Sequence, residues 1–275
     1  LLQADRRDFD SLSEREVLAL AITAEEEDGR IYAELAARLR PQYPGTGALL
    51  DGMVCLTSCD KTVPGQLMAA GRLNIPTLMV ACGYQPSGQY KGQHVDIEDV
   101  FVGAMHAQMG HLPMEDLIGM SREAIKGPGV CSGLGTANSM HIVCEALGMA
   151  LPGTTPVAAN SPQMFEAVRL AGQRIVQMVQ DDLKPRDIMT AGAFANAVRS
   201  ILSVGGSINC IKHLQAIATE SECDVDVYGL FNRLAQDTPV LSAIRPVGER
   251  FIEEYEAAGG ARAGRSPRDP PSWTT

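Results

Sequence analysis

Two short apolar runs, residues 52–57 and 76–82, flank a segment, 64–73, whose apolar residues recur at helical spacing. Strand, turn, helix and strand in that order form a βαβ unit, which commits this part of the chain to an α/β fold with parallel pairing. Ligands collect at the carboxyl ends of parallel strands. The first of these ends carries Ser58-Cys59-Asp60-Lys61-Thr62-Val63-Pro64-Gly65.

That stretch places a soft metal ligand, a hard metal ligand and an amine at three consecutive positions. A thiolate suits an iron–sulfur cluster or zinc, and a carboxylate beside it suits magnesium. Taken alone, Cys59 reads more readily as a small buried hydrophobe and Asp60-Lys61 as a solvated pair at a strand end. The rest of the chain decides between these readings.

The 275 residues carry a formal charge of −10, with 45% hydrophobic and 20% charged residues. Nothing forms the basic stripe that neutralises nucleic-acid phosphates, so small-molecule chemistry is expected and nucleic-acid binding is not. Apolar runs such as 75–84 are too short for a bilayer and are broken by Pro or Gly. The acidic N-terminus lacks a signal-peptide pattern, so a cytoplasmic protein without membrane association is expected. Seven cysteines, Cys55, Cys59, Cys82, Cys131, Cys144, Cys210 and Cys223, are scattered without a compact disulfide framework. They read as free thiols or metal ligands.

Ser11-Leu12-Ser13-Glu14-Arg15-Glu16 resembles a capping box, and Leu18, Leu20, Ala21, Ile22, Ile31, Tyr32, Leu35 and Leu39 recur at helical spacing. One long amphipathic helix is predicted, ending at Arg40-Pro41, with a turn at Tyr43-Pro44-Gly45-Thr46-Gly47. The acidic cluster Glu25-Glu26-Glu27-Asp28 reads as a solvated face. With residues 12–16, the stretch 25–32 also resembles the first helix of rubrerythrin-like, ferritin-like di-iron proteins. The resemblance covers about residues 12–53 and implies an iron ligand at Glu26 or Glu27. No Glu-x-x-His partner follows, so no di-iron centre is expected.

Downstream, residues 83–94 are polar and Gly-rich and read as a loop. Helices are predicted over 95–106 and 114–125, the second opened by Pro113 with Glu115 and Asp116 in its first turn. A glycine-dense loop, 127–140, feeds a helix to about Met149. Its glycines suit a phosphate cradle, but the Walker lysine and the full dinucleotide spacing are absent. Cys131 within it sits where backbone N–H groups can approach a cluster sulfur. Further helices are predicted over 160–179 and 191–202, with a short connection at 184–190. Gly205-Gly206-Ser207-Ile208-Asn209 forms a second candidate ligand loop, leading into a helix with His213, which reads as structural.

Together, Cys59-Asp60-Lys61-Thr62-Val63-Pro64-Gly65-Gln66-Leu67-Met68-Ala69-Ala70, Gly129-Val130-Cys131-Ser132-Gly133, Thr136-Ala137-Asn138-Ser139-Met140, Glu145-Ala146-Leu147-Gly148-Met149-Ala150-Leu151-Pro152-Gly153 and Gly205-Gly206-Ser207-Ile208-Asn209 resemble the dihydroxy-acid and sugar-acid dehydratases of the IlvD/Edd family. The match runs over about residues 51–260. It implies a hydro-lyase of amino-acid biosynthesis or sugar-acid metabolism that converts a 2,3-dihydroxy carboxylate to a 2-keto acid. It also implies an iron–sulfur cluster (2Fe-2S or 4Fe-4S) and Mg²⁺. Cys59 and Cys131 would be cluster ligands, while Asp60 and Lys61, the lysine as a carbamate, would bind magnesium. Iron would act as a Lewis acid on the departing 3-hydroxyl, with Mg²⁺ holding the carboxylate and 2-hydroxyl. Homo-oligomerisation is a further implication.

Family members also carry an upstream cluster cysteine and acidic magnesium ligand, and a C-terminal domain with another acidic ligand and a serine base. None is recognised here, so no catalytic base is assigned and impaired activity is expected. Cys55 or Cys82 would be the substitute for the third cysteine. Ile208 stands where the family usually has Thr. The alternatives are a non-catalytic remnant and an iron-binding ferritin-like fusion. The expected organisation is a helical segment (1–50), a partial α/β dehydratase domain with a largely parallel sheet flanked by helices (51–260), and a disordered Arg-, Ser- and Pro-rich tail (261–275).

Overall fold

The computed structural model describes residues 51–263. The stretch 1–50, where a helix with a ferritin-like resemblance is expected, lies outside the described residues, as do positions 264–275. The chain divides into two compact units, Leu1–Gly52 and Met53–Thr275, and every element below belongs to the second.

The βαβ unit is formed as its pattern predicts. Strand β1 (Met53–Thr57), helix α1 (Thr62–Leu73) and strand β2 (Thr77–Ala81) follow one another, and the strands pair in parallel from Met53↔Thr77 to Thr57↔Ala81. Helix α1 buries Val63, Leu67 and Ala70 on one face and ends where Asn74 adopts a left-handed conformation, its N–H donating to the Ala70 carbonyl at 2.9 Å. β2 is buried throughout, whereas β1 leaves Val54 and Leu56 exposed. Beyond this pair the parallel order continues as single bridges, Met79 to Ala150 and Tyr84 to both Val130 and Ala158.

The region read as a loop, 83–94, contains a hairpin, β3 (Gly88–Tyr90) with β4 (Gln93–Val95), antiparallel. Lys91 (φ 50°) and Gly92 (φ 78°) both turn left-handed, as a tight two-residue hairpin turn requires. Helix α2 (Ile97–Gln108) starts later than predicted because Asp96 caps it, accepting from the Glu98 and Asp99 N–H groups. Helix α3 (Met114–Ala124) follows. Helix α4 (Thr136–Leu147) is buried from Ala137 to Leu147 and is closed by Gly148 at φ 86°. Helix α5 (Pro162–Gln180), capped by Ser161, turns Ala167, Ala171, Ile175 and Met178 inward against β2. The connection at 184–190 contains a helical turn, α6 (Pro185–Ile188).

Helices α7 (Ala191–Val204), α8 (Asn209–Glu220) and α9 (Val227–Leu234) complete the main core, with α7 packed on α4 and α8 on α1. The fold is thus α/β, a small parallel sheet flanked by helices. Two short helices, α10 (Ile252–Ala257) and α11 (Gly260–Ala263), end the described chain. The predicted disordered tail therefore begins too early. Ala261 is buried and its N–H donates to the Thr155 carbonyl at 2.9 Å.

Candidate metal and cluster site

Three backbone segments meet at the carboxyl end of the sheet. β1 runs into Ser58-Cys59-Asp60, and Lys61 is the residue from which α1 starts. β2 runs into Cys82, whose N–H donates to the Thr57 carbonyl at 2.8 Å. The third segment is pinned by Val130 N–H to Gly83 O at 3.0 Å and Gln85 N–H to Val130 O at 2.7 Å, which brings Cys131 to the same end. Gly129 makes that entry possible, because at φ 129° a Cβ would stand 2.4 Å from the Gln85 nitrogen.

All seven cysteines are free, and Cys59 and Cys131 are exposed. Burial pushes the Cys82 thiol up, and so, after a backbone hydrogen bond that lowers it, does negative charge on Cys59. Burial likewise raises Cys131, followed by the charge of Cys59 and, more weakly, of Glu98 and Asp60. Cys59 is thus an electrostatic neighbour of both. Cys55 is not part of this group. It packs into the core, is raised by burial alone, and its charge neighbour is the fully buried Cys144.

Lys61 Nζ donates to Asp60 Oδ2 at 2.7 Å on an open surface. Beside them stands His213, its pKa lowered by burial and by Lys61 and raised by Asp60. Its Nε2 is buried without a protein partner, so a reading of His213 as a satisfied structural residue does not hold for that atom.

The glycine-rich loops are laced together behind this group. Asn138 Nδ2 donates to the carbonyls of Cys131 (2.7 Å) and Gly133 (2.9 Å). Ser207 N–H donates to Ser139 Oγ at 2.9 Å, Ser207 Oγ and Thr136 Oγ1 are 2.8 Å apart, and Asn209 Nδ2 donates to Thr136 Oγ1 at 2.9 Å. Ile208 is exposed and takes no part. Sequence reasoning assigned no role to Asn138, to His141 or to Glu98. His141 had a signal, an ionisable residue inside an otherwise apolar helix. Glu98 had none, since its approach to Gly133 is purely tertiary: a Cβ there would stand 1.9 Å from Glu98 Oε1.

The donors suit the implied groups in kind. The backbone segments that carry Cys59, Cys82 and Cys131 meet at one end of the sheet, Asp60 and Lys61 follow Cys59, and the buried oxygens Thr57 Oγ1, Ser132 Oγ and Asn138 Oδ1 lack partners. Among the described residues no three His, Cys, Asp or Glu side chains converge closely enough as they stand to hold a metal ion. The described residues therefore do not present a preformed metal site as they stand. A cavity of about 880 Å³ lies elsewhere, between residues 152–158, the start of α5 and α10, and none of Cys59, Asp60, Lys61 or Cys131 lines it.

Fold and site together define an α/β domain that gathers thiols, a carboxylate–amine pair and glycine-rich loops at the carboxyl end of a parallel sheet. A family model described as dihydroxy-acid/6-phosphogluconate dehydratase N-terminal matches residues 43–264, and the chain belongs to that family. It is similar to dihydroxy-acid dehydratases of Methanothermobacter thermautotrophicus (43% identical over 214 residues, 78% of this chain and 39% of the relative) and Syntrophobacter fumaroxidans (40% over 213 residues, 78% and 38%). The Pyrococcus furiosus enzyme of the same name is 38% identical over 210 residues, 76% of this chain and 38% of the relative. The chain thus spans about two-fifths of the length of these relatives. Among the described residues, no helix is long and apolar enough to cross a membrane.

Proposed function

We propose that this chain carries the cluster- and magnesium-binding part of a cytoplasmic hydro-lyase that dehydrates 2,3-dihydroxy carboxylates to 2-keto acids. A dihydroxy acid is favoured over a sugar acid by the names of the relatives. Cys59 and Cys131 are the proposed cluster ligands, and Asp60 and Lys61, the latter as a carbamate, the proposed magnesium ligands. The observation that supports this most is the convergence of the Cys59-Asp60-Lys61 turn and the Cys131 loop at one end of the sheet.

When bound, the iron supplies Lewis acidity toward the departing hydroxyl, and magnesium supplies positive charge for the substrate carboxylate. The chain's own residues hold the frame. Asn138 fixes the carbonyl of Cys131, and Thr136, Ser207 and Asn209 tie the two glycine-rich loops into one polar wall. Carbamylation of Lys61 turns a cation that repels Mg²⁺ into an oxygen ligand. A homo-oligomer is part of the proposal, and α2 and the residue after it carry exposed Phe101, Met105 and Met109 at four-residue spacing on one face.

The test is the visible absorption, iron and sulfide content of anaerobically purified protein, with 2-keto acid formation measured alongside. Cluster absorption that is lost in the Cys59→Ala, Cys131→Ala double variant is the expected result. Spectra identical in wild type and double variant overturn the cluster assignment.

A further inference from the structure

We infer that a cavity of about 310 Å³, walled by α7 and the segment leaving α9, binds a small aliphatic zwitterion of the α-amino-acid class. Arg199 takes the carboxylate, Asp237 the ammonium group, and Leu234, Pro239 and Leu241 the side chain. The inference goes beyond the proposed dehydration and is independent of it, since none of Cys59, Asp60, Lys61 and Cys131 lines this cavity.

One helix face builds the polar wall. On α7 the residues Phe194, Ala197, Val198, Ile201 and Val204 are buried. Asn196, Arg199, Ser200 and Ser203 recur three and four positions apart on the other side of the helix, and all four line the cavity. The facing wall is the segment that leaves α9, which supplies Asp237 and the apolar surface. Leu241 and Ser242 N–H both donate to the Ser203 carbonyl, at 2.7 and 3.2 Å, and fasten this segment over the end of α7. Tyr255 of α10 adds a phenol to the lining. Burial, followed by the Glu145 carboxylate, pushes its pKa up to about 12, so it is a neutral donor.

The state of the charges separates this cavity from the others. Among the described residues, the side chains of Arg199 and Asp237 have no ion-pair partner and the Tyr255 hydroxyl has no hydrogen-bond partner. Charges elsewhere are already engaged. In the neighbouring cavity Arg250 pairs with Glu254 at 2.8 Å. In the cavity of about 880 Å³, Glu166 pairs with Arg169, Glu253 accepts from Ser87 N–H at 2.8 Å, and Glu256 accepts from the Tyr84 hydroxyl. A ligand with only a negative charge would be repelled by Asp237, and one with only a positive charge by Arg199, so the pair selects a molecule that carries both. Leu234, Pro239 and Leu241 favour an apolar body between those charges. The volume lies at the small end of the range of small-molecule sites, which suits a molecule of amino-acid size.

The test is calorimetry on the full chain, with saturation-transfer NMR as a second readout and circular dichroism to verify that each variant is folded. The probes are L-leucine, isocaproate, which lacks the ammonium group, isoamylamine, which lacks the carboxylate, and glycine, which lacks the apolar side chain. Leucine is expected to bind, and each of the other three to bind about tenfold or more weakly. Asp237→Asn should weaken leucine about tenfold and erase its advantage over isocaproate, and Arg199→Gln should weaken it as much and erase its advantage over isoamylamine. Arg250→Gln, in the neighbouring cavity, should match the wild type. Equal affinity of the wild type for leucine, isocaproate and isoamylamine overturns the inference. So does leucine binding that both variants retain in full, or a folded wild type that shows neither heat nor saturation transfer with leucine at about 10 mM. Each of these outcomes leaves the cluster and magnesium assignments standing, because those are read from iron content and Mg²⁺ binding.

Discussion

His141 Nε2 lies 2.8 Å from the carbonyl oxygen of Ser58, joining the buried helix α4 to the residue immediately before Cys59. A carbonyl only accepts, so Nε2 carries the hydrogen and the imidazole is held in one tautomer. The ring is buried, and desolvation lowers its pKa to about 4 despite the backbone partners, which act the other way.

Acid should therefore weaken the fold. Between the ordinary histidine value and about 4, the unfolded chain binds a proton that the native protein refuses, so stability falls as pH drops through that window. The loss is on the order of 3 kcal/mol across the full range. Urea unfolding of wild type and His141→Gln at about pH 7 and about pH 5 is the measurement. Glutamine keeps an N–H donor without titrating, so the variant should lose less stability on acidification. Equal losses would show that other groups set the acid limit.

Glu145 makes a second demand on the core. Its carboxylate accepts from the N–H groups of Gly153 (2.8 Å), Thr154 (3.2 Å) and Thr155 (3.0 Å), and from Thr155 Oγ1 at 2.8 Å. Burial raises its pKa even against these donors. Glu145→Ala removes the acceptor of four donors, two of which belong to the buried Thr155, and should destabilise the unit by roughly 3 kcal/mol. Thermal denaturation checks this. Because this loop also lines the cavity away from the cysteines, cluster content per folded molecule should be nearly unchanged.

How much of this was visible in the residues depends on the range of the interaction concerned. Local patterns carried the βαβ unit, because 52–57 and 76–82 are apolar runs on either side of a helical period, and they carried Cys59-Asp60-Lys61 to the strand end. The hairpin at Gly88–Tyr90 and Gln93–Val95 was not visible, because three-residue strands of Gly, Gln, Tyr and His show no alternation that a loop would not. Ala261 read as tail because the small and basic residues at 261–265 run without a break into the Arg-, Ser- and Pro-rich end of the chain. Its burial comes from contact with Thr155, far off in the chain. Cys55 and Cys82 read alike in the sequence; in the structure Cys55 packs against the core, whereas Cys82 follows β2 at its carboxyl end.

Gly129 is the residue on which the Cys131 loop turns. Its φ of 129° is accessible to glycine, and a Cβ would approach Gln85 N to 2.4 Å and the Tyr84 carbonyl carbon to 2.5 Å. These are backbone atoms of the strand extension and cannot step aside like a flexible side chain. Gly129→Ala should therefore cost about 2 kcal/mol or more and shift the Cys131 loop away from the Cys82 segment. Thermal denaturation reads the first effect and reconstituted iron content the second, with both expected to fall. Gly92→Ala is the control. Gly92 is also left-handed, but nothing lies within 4 Å of a Cβ there, so only stability should decline, by about 1 kcal/mol.

Asp60 and Lys61 lead to the last prediction. Lys61 Nζ donates to Asp60 Oδ2 at 2.7 Å, while a carbamate forms only from a neutral amine and carbon dioxide. In the proposed site magnesium would favour the carbamate, which offers it an oxygen ligand, and bicarbonate would favour magnesium by supplying the carbon dioxide, so each should tighten the other by linkage. Calorimetry is expected to show Mg²⁺ binding that strengthens about tenfold when bicarbonate is added, with ¹³C-bicarbonate giving a carbamate carbon signal in the NMR spectrum. Lys61→Arg should abolish both the signal and the bicarbonate effect, because a guanidinium stays protonated. Asp60→Asn should weaken Mg²⁺ whether or not bicarbonate is present. Magnesium binding that is indifferent to bicarbonate in the wild type would remove Lys61 from the metal site while leaving Asp60 to be judged by its own variant.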